Sequence, residues 1–389
     1  MIKSSLVSSG ILASSTTLEA MTRNYPTKGI RLGVIGTGAR GGGLIPVINR
    51  IDGLDVVACC DVLPFRLESG LKRAPKAKGY SDYHAVLDDK KIDAVLIATP
   101  FNTHEQIALD AIDAGKHVYC EKTLVKGFDG VDRLVKKVKS SSQIFQTGHQ
   151  YYSSRLYRHV VKLIQEGEIG DVIAFECQYN RNGDWRRQVP DPSLERAINW
   201  RMYREYSGGL TAELCSHQID FINWVLGENP HKIMGVGGID YWKDGRETYD
   251  NVHLLFEYPG GVKAKFTCLT SNALNDYQVK VHGSKGTILV SYSKAWIYYE
   301  KGHEKELADV DGVSGATLDP LSKEWGTPLK VSHVDPSEQA LIDFRDSIQQ
   351  NKEPLSNVVT GCNTSIAVQM SLDAMMTGTI REWNNRELY

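Results

Sequence analysis

The sequence lacks any run of the ~20 apolar residues that a membrane-spanning helix requires, so no membrane span is expected. It also lacks a dominant charge. Its 45 Lys and Arg stand against 47 Asp and Glu, a formal net charge of −2. Neither a nucleic-acid-binding surface nor a charged tail is expected from that balance. No CxxC pair occurs. The seven cysteines, at 59, 60, 120, 177, 215, 268 and 362, are scattered and odd in number, several of them inside apolar runs. That pattern argues against a disulfide framework or a zinc site and for buried free thiols. There is no internal repeat, and the low-complexity character is confined to the N-terminus.

What is present is a chain of 389 residues, too long for one ordinary core, so two domains are expected. Residues 1–29 stand apart. MIKSSLVSSGILASSTTLEAM is rich in Ser and Thr around a weak apolar centre. Two readings stay open: a remnant of an export signal, which would make the protein periplasmic, or a disordered extension on a cytoplasmic one. IKSSL resembles the residues just after the arginine pair of twin-arginine signals, but no such pair is present.

From residue 30 short apolar runs alternate with helical stretches. RLGVI, LDVVACC, IDAVLIA, KHVYC and the weaker QIFQT read as strands. The stretch 103–115 reads as a helix opened by Thr103 and closed by Gly115. Residues 30–150 therefore read as a doubly wound α/β domain with a parallel sheet covered on both faces. Residues 151–389 read as an α+β domain dominated by a large, open, mainly antiparallel sheet. Its hairpins turn at Pro259-Gly260-Gly261 and Ser284-Lys285-Gly286. A helix near 211–226 and two terminal helices, near 337–350 and 363–377, complete it.

The run GVIGTGARGGG places Gly36, Gly38 and Gly41 in G-x-G-x-x-G spacing directly behind a strand. The first glycine makes a tight turn, the second admits a pyrophosphate to the backbone, and the third lets the helix pack on the strand. Ala39 and Arg40 open that helix, whose free N–H groups favour phosphate. Asp61 ends the second strand and suits the ribose hydroxyls of NAD. Arg40 and Arg66 are near enough in sequence to meet the extra phosphate of NADP. Further strand ends deliver Thr99, Pro100, Asn102, His104, Glu121 and Lys122 to the same sheet edge. Read alone, a lysine at a strand end such as Lys122 is more often a solvated charge than a catalytic group.

Glu213, His217 and Asp220 fall on one stripe of a helix. The stripe borders an apolar face, so its polarity calls for a reason. Without other information a hydrogen-bonded histidine and an exposed acid would satisfy it. As metal ligands Glu213 and His217 lack a third partner at suitable spacing, so no metal is expected. The segment 181–209 carries six arginines with Trp185, Trp200, Tyr203 and Tyr206. Such a segment fits either a polyhydroxylated ligand or a subunit interface. Tyr152 and Arg155 come just after the domain crossover, where they would face a cleft.

GVIGTGARG, Asp61, TPFNTH followed by AGKHVYCEK, and SGGLTAELCSHQID together resemble the Gfo/Idh/MocA family of glucose–fructose oxidoreductase and inositol dehydrogenase. The resemblance covers most of residues 30–380. It departs at Thr123, where the family's Glu-Lys-Pro motif has proline, and at Glu213, where relatives carry aspartate. It implies a nicotinamide cofactor held by the first domain and a carbohydrate or cyclitol substrate held by the second, in a homodimer or homotetramer. In that scheme His217 takes a hydroxyl proton while hydride leaves the same carbon. Lys122 donates to the reacting oxygen, and Glu213 orients the ring or binds a substrate hydroxyl. Substrate contacts are expected from Tyr152, Arg155, Arg181, Trp185, Trp200, Tyr203 and Glu213. The leading expectation is an NAD(P)-dependent dehydrogenase of a sugar, a glycoside (at C3 as one specialisation) or a cyclitol. Two others stay beside it: a glycosidase that keeps NAD bound and oxidises C3 transiently, and a non-catalytic nucleotide-binding protein.

Overall fold

A computed structural model describes residues 29–303 and 326–383. The expectation for the N-terminal extension lies outside the described residues. The first unit runs β1 (Ile30–Ile35), α1 (Ala39–Ile48), β2 (Leu54–Cys60), α2 (Pro64–Arg73), β3 (Lys78–Tyr80), α3 (Tyr83–Asp88), β4 (Ala94–Ile97), α4 (His104–Asp113), β5 (His117–Cys120), α5 (Asp129–Lys139) and β6 (Phe145–Thr147). Its six strands are parallel, in the order β3-β2-β1-β4-β5-β6. Helices cover both faces, which is why β1 and β4 are apolar almost without interruption rather than alternating. The order reverses between β1 and β4, so a crevice opens there at the carboxyl ends of the strands.

The second unit continues with α6 (Arg155–Gln165), β7 (Val172–Asn182), a short α7 (Glu195–Ile198) and a π-helical turn, Thr211–Cys215, that runs directly into α8 (Ser216–Leu226). Next come β8 (Lys232–Gly238), β9 (Asn251–Glu257), β10 (Lys263–Leu269), β11 (Ser271–Gly283), β12 (Gly286–Val290), β13 (Ala295–Tyr299), β14 (Thr327–Leu329), α9 (Pro336–Gln350), α10 (Val358–Thr377) and β15 (Arg381–Glu382). Nine strands form one sheet in the order β14-β13-β12-β11-β7-β10-β9-β8-β15. The hairpins expected at 259–261 and 284–286 join antiparallel neighbours. The pair β7–β10 is parallel, so the sheet is mixed. Its inner face, with Phe175, Phe256 and Phe266, packs in one core with α6, α8 and α10. Its other face carries exposed Met234, Val236, Leu255 and Tyr298.

Two local expectations need correction. Thr103 does not cap α4 with its side chain. Its hydroxyl instead donates to Pro100 O at 2.7 Å and pairs with the Thr99 hydroxyl at 2.8 Å, because a short 3-10 turn over Phe101–Thr103 precedes the helix. The helix α9, expected with the second unit, keeps a tie to it through Arg158 and Asp343 at 2.6 Å but buries its apolar face elsewhere. Ala340, Leu341 and Phe344 join the core of the first, beside Leu32, Ile45 and Tyr119. The Tyr119 and Phe344 rings meet edge-on at 5.7 Å. Asp335 caps α9, accepting from the N–H groups of Ser337 and Glu338. All seven cysteines are buried and free, as their apolar surroundings suggested. Among the described residues no helix is long and apolar enough to cross a membrane. No group of three His, Cys, Asp or Glu among them could hold a metal ion.

Candidate active site

The glycine loop works by backbone geometry. Gly36 turns at φ +89°, and a Cβ there would stand 2.6 Å from Ala98 O. Gly41 lies beneath the turn, where a Cβ would meet Gly36 O at 1.9 Å. A side chain is excluded at both positions by the protein itself. Gly38 differs. A Cβ there would meet nothing closer than 3.6 Å, and that atom belongs to the flexible Arg66. Gly38 therefore leaves open space rather than a tight contact, and the space belongs to a cleft of about 1110 Å³. Helix α1 begins at Ala39 with no side-chain cap and no acid in its first turn. Its N-terminal N–H groups and partial positive charge remain available to a pyrophosphate. These features fit a dinucleotide.

Gly36, Gly38, Ala39, Arg40, Asp61, Thr99, Pro100, Asn102, His104, Glu121 and Lys122 all line this cleft, together with Trp200, Glu213 and His217. Their roles within the protein differ. Asp61 accepts from the N–H of Thr37 and of Leu63, each at 2.9 Å, tying the glycine loop to the end of β2. An ionised carboxylate has lone pairs beyond those two bonds for ribose hydroxyls. Arg40 is engaged elsewhere: it donates to Glu121 at 2.7 Å and to Ser337 at 3.2 Å. Of the two arginines considered for a 2′-phosphate, only Arg66 stands beside Gly38. His104 sets its two ring nitrogens against Thr123 O and Thr99 O, each at 2.9 Å, bridging the loops after β4 and β5.

Lys122 reaches across to the second unit. Its Nζ donates to Glu213 O at 2.8 Å, and the Thr123 hydroxyl donates to Ala212 O at 3.1 Å. The π-helical turn places Glu213 and His217 on the same wall, and its wide ring is a feature frequent at functional sites. Glu213 accepts from Arg201 Nε at 2.8 Å. Burial favours the neutral acid, but Arg201 and Lys122 outweigh it and hold the Glu213 pKa below the usual carboxylate range. Burial lowers the Lys122 pKa despite Glu213 and Glu121. Burial, then the charge of Lys122, pushes His217 well below an ordinary histidine, so its imidazole is neutral near pH 7. A neutral imidazole can accept a proton and a lysine ammonium can donate a hydrogen bond, so the pair can serve both sides of a hydroxyl.

Asp220 is not an exposed acid. It is 2% exposed and accepts from the Thr364 hydroxyl of α10. Other expected residues lie outside the cleft lining. Tyr152 is buried with its ring stacked on Trp224 at 4.4 Å. Arg155 donates to Ser332 and Arg181 to Asp276, at 2.9 and 2.8 Å. Trp185 packs against the main core. Tyr203 donates to Glu195 at 3.0 Å while Arg196 covers its ring at 4.1 Å. These side chains already have partners inside their own unit. The segment 181–209 supplies the cleft through other members, among them Arg187, Arg201 and Tyr206, and Gln150 joins from the end of β6. Gln150 comes after a strand of the same parallel sheet, a signal that the strand-end rule already contained.

A model of the oxidoreductase family with an NAD-binding Rossmann fold matches residues 30–149, and one of the GFO/IDH/MocA C-terminal domain matches 157–289. The chain is 26% identical over 264 residues to myo-inositol 2-dehydrogenase of Thermotoga maritima, covering 67% of this chain and 74% of that protein. It is 27% identical over 263 residues to 2,7-anhydro-N-acetylneuraminate hydratase of Escherichia coli, covering 67% of each. Among solved structures, the levoglucosan dehydrogenase complex with NADH shares the fold at a TM-score of 0.73 and 19% identity, over 91% of this chain and 99% of that one. Myo-inositol 2-dehydrogenase of Lactobacillus plantarum shares it at 0.71 and 22%, over 92% and 100%. The glycine cradle, the strand-end residues and both matched domains agree, and the chain belongs to the Gfo/Idh/MocA family of oxidoreductases, with an NAD-binding Rossmann domain as its first unit.

Proposed function

We propose that the protein is an NAD-dependent dehydrogenase that acts on a secondary hydroxyl of a sugar, glycoside or cyclitol. The observation that carries this reading is the convergence of Lys122, Glu213 and His217, from two units, on the cleft that Gly38 and Asp61 also line. Bound NAD would supply the hydride acceptor. Gly36, Gly38 and the start of α1 would hold its pyrophosphate, and Asp61 its ribose. His217, neutral through burial, takes the hydroxyl proton. Lys122 donates an N–H to the same oxygen as negative charge develops there. Glu213, fixed by Arg201, stays ionised and accepts from a neighbouring substrate hydroxyl. Trp200 and Tyr206 give the cleft an aromatic wall for the apolar side of a pyranose or cyclitol, with Arg201 over the Trp200 ring at 4.2 Å. Two of the related proteins are named dehydrogenases of inositol and levoglucosan, which supports the substrate class. The apolar outer face of the nine-stranded sheet supports a homo-oligomer.

The glycosidase reading needs a further base for C2. Tyr152 and Tyr203 do not line the cleft and cannot serve as that base, whereas Tyr206 does line it, so the two readings are separated by experiment. The experiment incubates the purified protein with NAD or NADP and a panel that includes myo-inositol, levoglucosan and methyl glucosides, and tracks absorbance at the nicotinamide band. Steady NADH formation supports the proposal. Phenol released from aryl glycosides without added NAD, and no NADH formation, would replace it with the hydrolytic reading. Binding of NAD with neither activity would favour a non-catalytic role.

A further inference from the structure

Behind His217 lies a polar cluster that the reaction just described does not use. His149, just past the end of β6, is 1% exposed, and neither of its ring nitrogens has a hydrogen-bond partner. Its ring meets that of His217 edge-on, centroids 5.9 Å apart at 89°. Its Nδ1 stands 3.6 Å from Asp220 Oδ1. Asp220 lies three residues after His217 on α8, and its Oδ1 accepts from the Thr364 hydroxyl of α10 at 3.0 Å. His217 Nδ1 is itself buried without a partner, leaving Nε2 for the cleft. Three unpaired ring nitrogens in one buried pocket are costly unless they serve one another.

We propose that His149 and Asp220 are positioning residues that form a proton relay behind His217, with Asp220 as its terminus. The proposal rests on the dehydrogenase reading above. In the oxidising direction the substrate hydroxyl proton goes to His217 Nε2. The Nδ1–H of His217 passes to His149 Nε2, and the Nδ1–H of His149 passes to the Asp220 carboxylate. One O–H bond breaks at the substrate and one forms at Asp220. Both imidazoles begin and end neutral with their tautomers exchanged. In the reducing direction every step reverses. Neither the His217–His149 nor the His149–Asp220 contact is at hydrogen-bond length, so the relay asks both to close, the second by about half an ångström.

The reason for a relay is electrostatic. Lys122 already places a positive charge in this region, and both histidines are held neutral by burial and by that charge, His149 down to about 3. A buried imidazolium beside a buried ammonium is therefore disfavoured. A buried carboxylic acid is not, and burial raises Asp220 well above the carboxylate range against the opposing bond from Thr364. The other titratable groups that act on the cluster are Arg40, whose charge adds to that of Lys122 at His217, Tyr151 and Tyr179, whose rings lie 5.2 and 6.5 Å from that of His217, and Tyr152, near Asp220. Burial keeps Tyr151 and Tyr152 neutral.

The test uses Asp220→Asn and His149→Phe in the full chain with NAD bound. NAD affinity and the circular dichroism spectrum verify that each variant is folded. In the wild type, kcat for oxidation should fall as pH drops through the raised Asp220 pKa. Asp220→Asn should lower kcat by about a hundredfold or more, the usual worth of a positioned proton acceptor, and abolish that acid limb. Nitrogen NMR of histidine-labelled holoenzyme should show His217 with a proton on Nδ1 in the wild type and mixed tautomers in His149→Phe. Unchanged pH profiles and an unchanged His217 tautomer in both variants would overturn the relay. If the wild type oxidises nothing in the panel, the dehydrogenase reading fails instead, and the NMR arm still decides the relay.

Discussion

The ammonium of Lys122 donates to the main-chain carbonyl of Glu213 at 2.8 Å, joining the end of β5 in the first unit to the π-helical turn of the second. The contact fixes the lysine by backbone rather than by an acid side chain. A second N–H reaches Ala212 O at 3.4 Å, so one N–H and the positive charge stay available to a ligand oxygen.

Lys122→Met should therefore lower kcat by about a hundredfold or more, the usual cost of losing a donor to a developing oxyanion, while NAD affinity, measured by fluorescence titration, stays near wild type. Because burial lowers the Lys122 pKa, the alkaline limb of kcat/KM should fall below the pH at which an ordinary lysine titrates. Assigning that limb to Lys122 fails if Lys122→Met keeps it.

The Arg201–Glu213 pair sets a second expectation. Arg201→Ala leaves a largely buried carboxylate alone and should cost roughly 2–3 kcal/mol in urea unfolding. The cost is less than for a fully buried pair, since the Arg201 side chain is 32% exposed. The folded Glu213 pKa is depressed. Its stabilising effect is thus complete above the unfolded pKa and is lost as pH falls through the folded one. Glu213→Gln should flatten that acid-side dependence of stability.

Two glycine variants separate fold from cofactor. Gly41→Ala brings a methyl within 1.9 Å of Gly36 O and should lower Tm with or without NAD. Gly38→Ala meets only Arg66 at 3.6 Å, so Tm without NAD should hold. Its Kd for NAD should rise by about tenfold or more, equivalent to about 1.4 kcal/mol or more. Equal effects of both substitutions on the ligand-free protein would contradict this division.

Asp61→Ser removes the carboxylate beside Arg66 and should narrow the preference for NAD over NADP by roughly tenfold, because an acid there repels the extra phosphate. The ratio of the two kcat/KM values checks it.

The sequence made the first unit readable because a buried parallel sheet writes itself as near-continuous apolar strands with glycine and acid at fixed strand ends. Gly36, Gly38, Asp61 and the strand-end position of Lys122 are legible on that basis, whereas the role of Lys122 comes only from the family resemblance. Local spacing also brought Glu213 and His217 together, although the π-helical turn that carries Glu213 has no signature in it. Substrate-side residues were less readable. Trp185, Tyr203 and Arg181 share composition with Trp200 and Arg201, and only tertiary packing decides which of them turn to the cleft. Nor can spacing tell that Asp220 goes inward. That depends on Thr364 and His149, which come from distant parts of the chain. The strand β3 was missed because Lys78–Tyr80 is three residues long and mostly exposed.

The return of α9 to the first unit has a consequence for the order of events during synthesis. The dinucleotide-binding wall emerges first from the ribosome, yet Leu341 and Phe344, which close one side of its core, are made only after nearly the entire second sheet. A domain that would otherwise fold as it appears must wait for its last helix. A nascent chain halted before Pro336 should present an open hydrophobic flank along α1 and β1, a natural place for a chaperone to hold it.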